Sequence, residues 1–125
     1  GGFAKFASER YGCHVTGISI ADTQIEYARK FCTGLPVEIV KSDYRDHRGE
    51  YDKILCCGMI EAVGYKNYRP FMEVAHRNLK DDGLFLLHTI ARHDSGLATD
   101  PWIDKYIFRN GQLPSAMQLS EAAED

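Results

Sequence analysis

The sequence predicts an α/β domain built on a parallel sheet, and two observations carry this prediction. Short runs rich in β-branched and aliphatic residues alternate with longer runs whose apolar residues recur at helical spacing. Turn-forming residues such as Gly34 and Pro36 separate these runs. Strands that alternate with helices pair in parallel through right-handed crossovers, so we expect the carboxyl ends of the strands to share one edge.

The first half of the chain predicts two helices and two strands. In chain order they are a helix over 2–11, a strand over 14–20, a helix from 22 or 23 to about 31, and a strand over 37–40. We expect Gly12 to end the first helix and either Asp22 or Thr23 to cap the second. The strands are short and β-branched, as in HVTGISI and VEIV.

The second half predicts a similar alternation. Its elements are a strand over 51–57, a helix over 67–79, a turn at 81–83, a strand over 84–90 and, after an irregular segment, a helix that begins at 115. Both strands are largely apolar, which is typical of strands buried on both faces. We therefore expect one partial domain over 1–125, with a core at 1–91 and a substrate-side segment or lid at 92–125.

Composition narrows the classes of partner. The chain has 125 residues, 44% of them hydrophobic and 26% charged, which suits one globular domain. Its formal net charge of −3 and the lack of a basic run give no reason to expect nucleic acid. Apolar runs such as residues 84–87 are too short to cross a bilayer. A cytoplasmic protein is the expectation.

The four cysteines do not predict a metal site. They are Cys13, Cys32, Cys56 and Cys57, and none forms a CxxC pair or has a histidine at zinc-finger spacing. We expect reduced core thiols of the kind found in cytosolic proteins. Because Cys56 and Cys57 are neighbours in a predicted strand, their side chains should point to opposite faces.

Chemistry-bearing residues lie where parallel strands end, which is where open α/β sheets bind ligands. Gly1 and Gly2 at a helix start would let a ligand approach backbone amides, and a simple turn is the alternative. Ser19, Ile20 and Gln24 follow the next strand, which lacks the acid that nicotinamide-binding domains place there. Asp43 and Tyr44 offer an acceptor and an aromatic face for a base, and a surface tyrosine is the alternative.

Glu61 and His88 are the strongest pair of candidates. Glu61 follows an apolar run and His88 interrupts one. A polar side chain is buried in such a setting only when a partner offsets the cost of its desolvation. Together they would hold a small anion or take part in proton transfer. The alternatives are a core histidine bonded to a carbonyl, and a glutamate at the positive end of a helix.

These residues resemble one family, the cyclopropane-fatty-acyl-phospholipid synthases and their mycolic-acid relatives. The matching stretches are GG at 1–2, VTGISIADTQ at 15–24, SDYRD at 42–46, YDKILCCGMIEAVG at 51–64, YRPFMEVAHRNLKDDGLFLLHTI at 68–90 and DPWIDKYIFRNGQLPS at 100–115. The resemblance implies a Rossmann-like class I fold of S-adenosylmethionine-dependent methyltransferases. It also implies a fragment without the first and last strands, inactive alone and dependent on oligomerisation for stability.

The resemblance also implies a role for each candidate. Gly1 and Gly2 would end the cofactor loop for S-adenosylmethionine. The sugar contacts would come from Ser19, Ile20 and Gln24, and the adenine contacts from Asp43 and Tyr44. Bicarbonate would be bound by Glu61, His88 and the backbone at Ile90. This chain has Ala21 where the family often has serine, and Ala62 where it often has histidine.

The activity implied is methylene transfer to a cis double bond in an unsaturated phospholipid acyl chain. The bicarbonate would take the proton that the new methyl group loses as the ring closes. The hydroxyl of the bicarbonate would face Glu61. The substrate implies peripheral contact with the inner face of the membrane. Two alternatives stay open: a related lipid or small-molecule methyltransferase, and a non-catalytic Rossmann-like binding domain.

Overall fold

The computed structural model of the protein describes residues 1–96 and 98–124. The chain forms two compact units, Gly1–His47 and Arg48–Asp125, each of which is described separately. The helices and strands, in chain order, are α1 (Gly2–Tyr11), β1 (Val15–Ser19), α2 (Asp22–Phe31), β2 (Val37–Lys41), β3 (Tyr51–Cys57), α3 (Tyr68–Asn78), β4 (Leu79–His88), α4 (Pro101–Tyr106) and α5 (Ala116–Ala123). The predicted division at residue 91 stays a prediction.

The first unit packs α1 and α2 with a two-stranded parallel sheet. Strands β1 and β2 pair in register from Val15 opposite Val37 to Ser19 opposite Lys41. Helix α1 ends as predicted at Gly12, whose φ of 65° is the left-handed conformation that glycine adopts without a side-chain clash. On α2 and its C-cap the buried residues are Ile25, Ala28 and Cys32, which follow helical spacing.

The predicted cap of α2 is wrong. Its N-cap is Ala21, whose extended backbone precedes the helix and whose side chain makes no capping bond. Asp22 is already the first helical residue, and its carboxylate pairs with Lys41 at 2.6 Å. The hydroxyl of Ser19 accepts from the Ala21 amide at 3.2 Å, so this turn is closed from the strand side.

The second unit holds another two-stranded parallel sheet, β3 with β4. Pairing runs from Lys53 opposite Leu84 to Cys57 opposite His88, after a register shift that follows the Tyr51–Leu79 pair. The predicted turn at 81–83 is therefore wrong, because β4 begins at Leu79 and carries the extra residues as an irregularity within the strand.

Only one face of this second sheet is covered. The ring of Phe85 lies 6.0 Å from that of Phe71 on α3, whereas Leu84 and Leu86 are 64% and 63% exposed. The prediction that β3 and β4 are buried on both faces is therefore wrong for this unit. Apolar composition alone does not tell whether a layer packs on each side of a strand.

In the second unit, nearby side chains cap the first turns of two helices. Helix α5 begins after Ser115, as predicted, where Ser115 and Gln118 form a reciprocal capping box with bonds of 3.0 and 3.1 Å. Helix α4 was not predicted, although Asp100 followed by Pro101 is a typical start signal. The Asp100 carboxylate accepts from the Trp102 amide at 2.9 Å.

The structure describes no helix with the length and apolar character needed to cross a membrane.

Candidate active site

In the first unit, the predicted cofactor residues of β1 and β2 lie at one edge of the sheet. The Ser42 amide donates to the Ser19 carbonyl at 3.1 Å, which extends the pairing to the point where both strands end. The Ser19 hydroxyl donates to the Gln24 side-chain oxygen at 3.3 Å. Ile20 is 70% exposed between them. Ser19, Gln24 and the backbone leading to Asp43 are thus brought together, as the strand ends predicted.

Gly1 and Gly2 lie at the start of α1 but have different surroundings. A Cβ on Gly1 would lie 3.0 Å from the Cβ of Ala28, so this position needs glycine for close packing against α2. A Cβ on Gly2 would meet no atom within 4 Å. The first amides of a helix have no intrahelical acceptor, so the open backbone at Gly2 presents hydrogen-bond donors.

Asp43 and Arg45 form a close ion pair beside Tyr44. The carboxylate oxygens of Asp43 accept from the guanidinium at 3.0 and 2.6 Å and from the Arg45 amide at 2.9 Å. These bonds hold the pKa of Asp43 down at about 2. Burial raises the pKa of Tyr44, and the Arg45 guanidinium lies 6.0 Å from the Tyr44 ring centre. At neutral pH, Asp43 is therefore a hydrogen-bond acceptor only.

In the second unit, Glu61 is the buried polar centre. It lies in a 3₁₀ turn, Ile60–Ala62, and is 1% exposed. Its Oε1 accepts from the backbone amide of Ile90 at 2.9 Å. Its Oε2 is buried and has no hydrogen-bond partner among the described residues. Such an orphaned acceptor is unusual in a folded protein and indicates a missing donor.

The titratable neighbours of this carboxyl group, Cys56 and Tyr68, are buried as well. Burial raises the pKa of the Cys56 thiol to about 11, and the nearby Glu61 adds to the shift. Burial also raises the pKa of Tyr68, again with a smaller contribution from Glu61. The Tyr68 hydroxyl donates to the Gln112 carbonyl at 3.0 Å. Both neighbours therefore remain protonated at neutral pH.

His88 lies at the carboxyl end of β4 and is exposed. Its Nδ1 is 3.4 Å from the Cys57 sulfur, and its carbonyl accepts from the Gly58 amide at 3.0 Å. No hydrogen bond joins the His88 ring to the Glu61 carboxyl group within the part of the chain that the structure describes. The structure therefore brings Glu61 together with the backbone of Ile90, two residues beyond His88.

Gly111 and Gln112 lie against the Glu61 backbone, a contact that sequence reasoning missed. The Gln112 amide donates to the Glu61 carbonyl at 2.8 Å. A Cβ on Gly111 would lie 2.7 Å from that same carbonyl oxygen and 2.5 Å from the Cβ of Phe108. The signal available was the Asn110–Gly111 dipeptide, which favours a tight turn, and Asn110 indeed has a φ of 58°.

The cysteines separate as neighbouring strand positions should. Cys56 is buried and Cys57 is exposed, which confirms that their side chains point to opposite faces. All four cysteines are free. Cys32 is also buried, but Cys13 is exposed, so the prediction of core thiols is wrong for Cys13 and Cys57. The described residues contain no cluster of three or more side chains suited to a metal.

Two relatives share the sequence along most of the chain. The cyclopropane-fatty-acyl-phospholipid synthase of Escherichia coli K12 is 45% identical over 124 residues, covering 99% of this chain and 32% of the relative. A probable fatty acid methyltransferase of Pseudomonas putida is 32% identical over 131 residues, covering 96% of this chain and 33% of that protein. The chain thus spans about a third of the length of these curated relatives.

A solved structure agrees in fold. The crystal structure of the mycolic acid cyclopropane synthase CmaA1 complexed with SAH and CTAB matches with a TM-score of 0.80 and 26% identity, covering 94% of this chain and 47% of the other. The predicted class I methyltransferase fold is confirmed by this similarity. The mycolic acid cyclopropane synthetase family matches residues 1–125. The chain belongs to that family, as its motifs predicted.

Proposed function

We propose that the protein carrying this chain is a cyclopropane fatty acid synthase. It transfers a methylene group from S-adenosylmethionine to a cis double bond in the acyl chain of a phospholipid. The observation that carries this proposal is the buried Oε2 of Glu61, which has no partner among the described residues. Membership of the family and the 45% identity to the Escherichia coli synthase support the same activity.

The residues of the first unit fit an adenosine cofactor. The Gln24 side-chain nitrogen is available as a donor to sugar oxygens, since its Oε1 is held by Ser19. Asp43 is an ionised acceptor at neutral pH, with a pKa of about 2, and an adenine amino group requires an acceptor. Tyr44 offers an aromatic face, and Gly2 offers open backbone amides. S-adenosylmethionine, when bound, supplies a methyl group made electrophilic by the sulfonium.

The residues of the second unit fit bicarbonate. The hydroxyl of bicarbonate could donate the hydrogen bond that the Glu61 Oε2 lacks. The other oxygens of bicarbonate could accept a hydrogen bond from a ring N–H of His88. The Ile90 amide was expected to bind bicarbonate, but it already donates a hydrogen bond to the Glu61 Oε1. We infer that Ile90 orients the carboxyl group. Bicarbonate, when bound, supplies the acceptor for the proton that ring closure releases.

We further propose an unsaturated phospholipid acyl chain as substrate, reached by peripheral contact with the inner, cytoplasmic face of the membrane. The name of the Escherichia coli relative supports a phospholipid substrate. Homo-oligomerisation is part of the same proposal for the complete protein.

The test is product analysis by mass spectrometry. The complete protein is incubated with S-adenosylmethionine and vesicles of unsaturated phosphatidylethanolamine. The expected product has gained one CH2 and no longer reacts as an alkene. Glu61→Gln and His88→Gln should each lower its formation at least about 100-fold, whereas Glu121→Gln, a change at an exposed glutamate of α5, should not. Lipid without any mass gain in the wild-type reaction would refute the proposal.

A related lipid methyltransferase is the second candidate. The 32% identity to the Pseudomonas putida protein favours it, since that relative is called a probable fatty acid methyltransferase. The same mass spectra decide between the candidates. A branched chain produced by methyl transfer without ring closure gives methyl-branch fragments, whereas a cyclopropane ring gives the ring-opening fragments of a methylene bridge.

A further inference from the structure

Cys57 and His88 form a thiol–imidazole pair. They are directly opposite each other where β3 and β4 end, so their side chains leave the sheet on the same face. The Cys57 Sγ lies 3.4 Å from the His88 Nδ1, within the range of a hydrogen bond to sulfur. Both residues are exposed, so a small reagent can reach the sulfur.

The other three cysteines lack this combination. Cys56 is buried, and burial raises its pKa to about 11. Cys32 is buried and directs its sulfur to the Gly1 carbonyl at 3.6 Å. Cys13 is exposed, but its sulfur makes no hydrogen bond to an imidazole among the described residues. The chain thus carries internal controls for both burial and exposure.

An imidazole beside a thiol changes its chemistry. The thiolate is the nucleophile, and an ordinary cysteine is only about 3% thiolate at neutral pH. A neutral ring nitrogen in hydrogen-bond contact accepts the sulfur proton and leaves a thiolate beside an imidazolium. This is the arrangement by which proteins make a cysteine reactive without a metal.

We propose that Cys57 is a modification site, a thiol activated by His88 that forms mixed disulfides with low-molecular-weight disulfides. The Cys57 sulfur attacks one sulfur of the reagent, so that a new S–S bond forms while the old S–S bond breaks. The electron pair departs on the second sulfur of the reagent, which takes the proton held by His88. Cys57 is oxidised, and the reagent is reduced by the release of one thiol.

Modification would also block the proposed anion site. The added group lies against the His88 ring, where it competes with any ligand that this ring binds. This consequence rests on the proposed function, whereas the reactivity of Cys57 does not. The pair would make the activity sensitive to the thiol–disulfide balance, and a reductant would restore it.

The first experiment measures reactivity without any assay of activity. The complete protein is incubated with glutathione disulfide at neutral pH, and each cysteine peptide is quantified over time by mass spectrometry. We expect Cys57 to react about tenfold faster than Cys13, since the His88 ring, 3.4 Å from the Cys57 sulfur, can accept the thiol proton as the sulfur attacks. Cys56 should stay unmodified, which reports that the second unit is folded.

His88→Gln removes the proton acceptor and keeps a polar side chain. We expect it to slow Cys57 about tenfold and to leave Cys13 unchanged. Should Cys57 react no faster than Cys13 in the wild type, the proposal fails without reference to the variant. The proposal also fails if Cys57 is modified at the same rate in the wild type and in the His88→Gln variant, while Cys56 stays unmodified in both.

The second experiment tests the consequence. Glutathione disulfide should inhibit product formation by the wild type, dithiothreitol should restore it, and Cys57→Ala should remain active and resist inhibition. If the wild-type protein is modified at Cys57 and remains fully active, modification does not block His88. The proposed reactivity of Cys57 is not affected by that result. Unmodified protein that forms no cyclopropane product instead contradicts the proposed function.

Discussion

The Glu61 carboxyl group accepts a 2.9 Å hydrogen bond from the backbone amide of Ile90, 29 residues further along the chain. This bond joins the turn after β3 to the segment that leaves β4. The other carboxyl oxygen is buried without a partner among the described residues. An unpaired buried polar atom costs about 1–3 kcal/mol, so the site is held in a state that a hydrogen-bond donor would stabilise.

Glu61→Gln should separate function from stability. The amide oxygen can still accept from Ile90, while the amide nitrogen replaces the oxygen that has no partner. One unpaired polar atom takes the place of another, so the free energy of unfolding should change by less than about 1 kcal/mol. Product formation should fall at least about 100-fold. Denaturant titration and product analysis measure the two effects, and a loss of both together would contradict the separation.

Gly111→Ala should disturb the backbone that holds Glu61. The new Cβ would lie 2.7 Å from the Glu61 carbonyl oxygen, a backbone atom that cannot move aside cheaply. We expect a loss of about 1–3 kcal/mol in the free energy of unfolding, together with lower activity. Gly96→Ala is the matched control, because its Cβ would meet side-chain atoms of Asp94 and Arg92 rather than a backbone atom. Equal costs in the two variants would argue against backbone contact as the cause.

Ala21→Ser should stabilise the first unit. Ala21 is the N-cap of α2, with an extended backbone and no side-chain capping bond, and serine there can accept from a first-turn amide. We expect the free energy of unfolding to rise by about 1 kcal/mol. Ala91→Ser, at an exposed position outside any helix, should change it little. Thermal unfolding checks both variants, and an unchanged midpoint for Ala21→Ser would contradict the capping argument.

Gly2→Ala should have opposite effects on stability and on cofactor binding. The new Cβ meets no atom within 4 Å, and alanine favours a helix over glycine, so stability should rise by up to about 1 kcal/mol. If the cofactor approaches this backbone, the same methyl group should weaken the affinity for S-adenosylhomocysteine about tenfold or more. Isothermal titration of the complete protein measures this. An unchanged affinity would remove Gly2 from the proposed cofactor site.

Arg45→Gln should change the pH dependence of Asp43. The pKa of Asp43 is about 2 because Arg45 hydrogen-bonds its carboxylate, and the ordinary value is 3.8. A lowered folded-state pKa contributes stability above the ordinary value, which is lost as the pH falls towards about 2. In the variant the pKa should return towards 3.8. Carboxyl-carbon NMR of Asp43 reports it, with Arg10→Gln as a control that should show no shift.

Local pattern predicted most of the elements. Helical spacing and a following glycine placed α1 at 2–11, and the apolar run at 51–57 matches β3. The start of α5 followed from Ser115. These features depend on residues within a few positions of one another, which is the range over which periodicity, capping and turn chemistry act.

The candidate site was predicted only in part. Strand ends pointed to Glu61, His88 and Asp43, because parallel strands present their carboxyl ends at one edge. The roles of Gly111 and Gln112 were not visible, since their bond to the Glu61 backbone joins segments about fifty positions apart and leaves no periodic trace. The role of Arg45, two residues from Asp43, was not predicted, although its hydrogen bonds to the carboxylate lower the pKa of Asp43.

By itself the sequence determined the alternation of strands and helices, the residues at the strand ends, and the family, all of which are encoded in local spacing and in ordered motifs. Only the tertiary structure decided where β4 begins, which face of β3 and β4 is covered, and which oxygen of Glu61 is left without a partner. The physical reason is that register, burial and hydrogen-bond satisfaction are properties of segments that meet in space, and a single segment does not carry them.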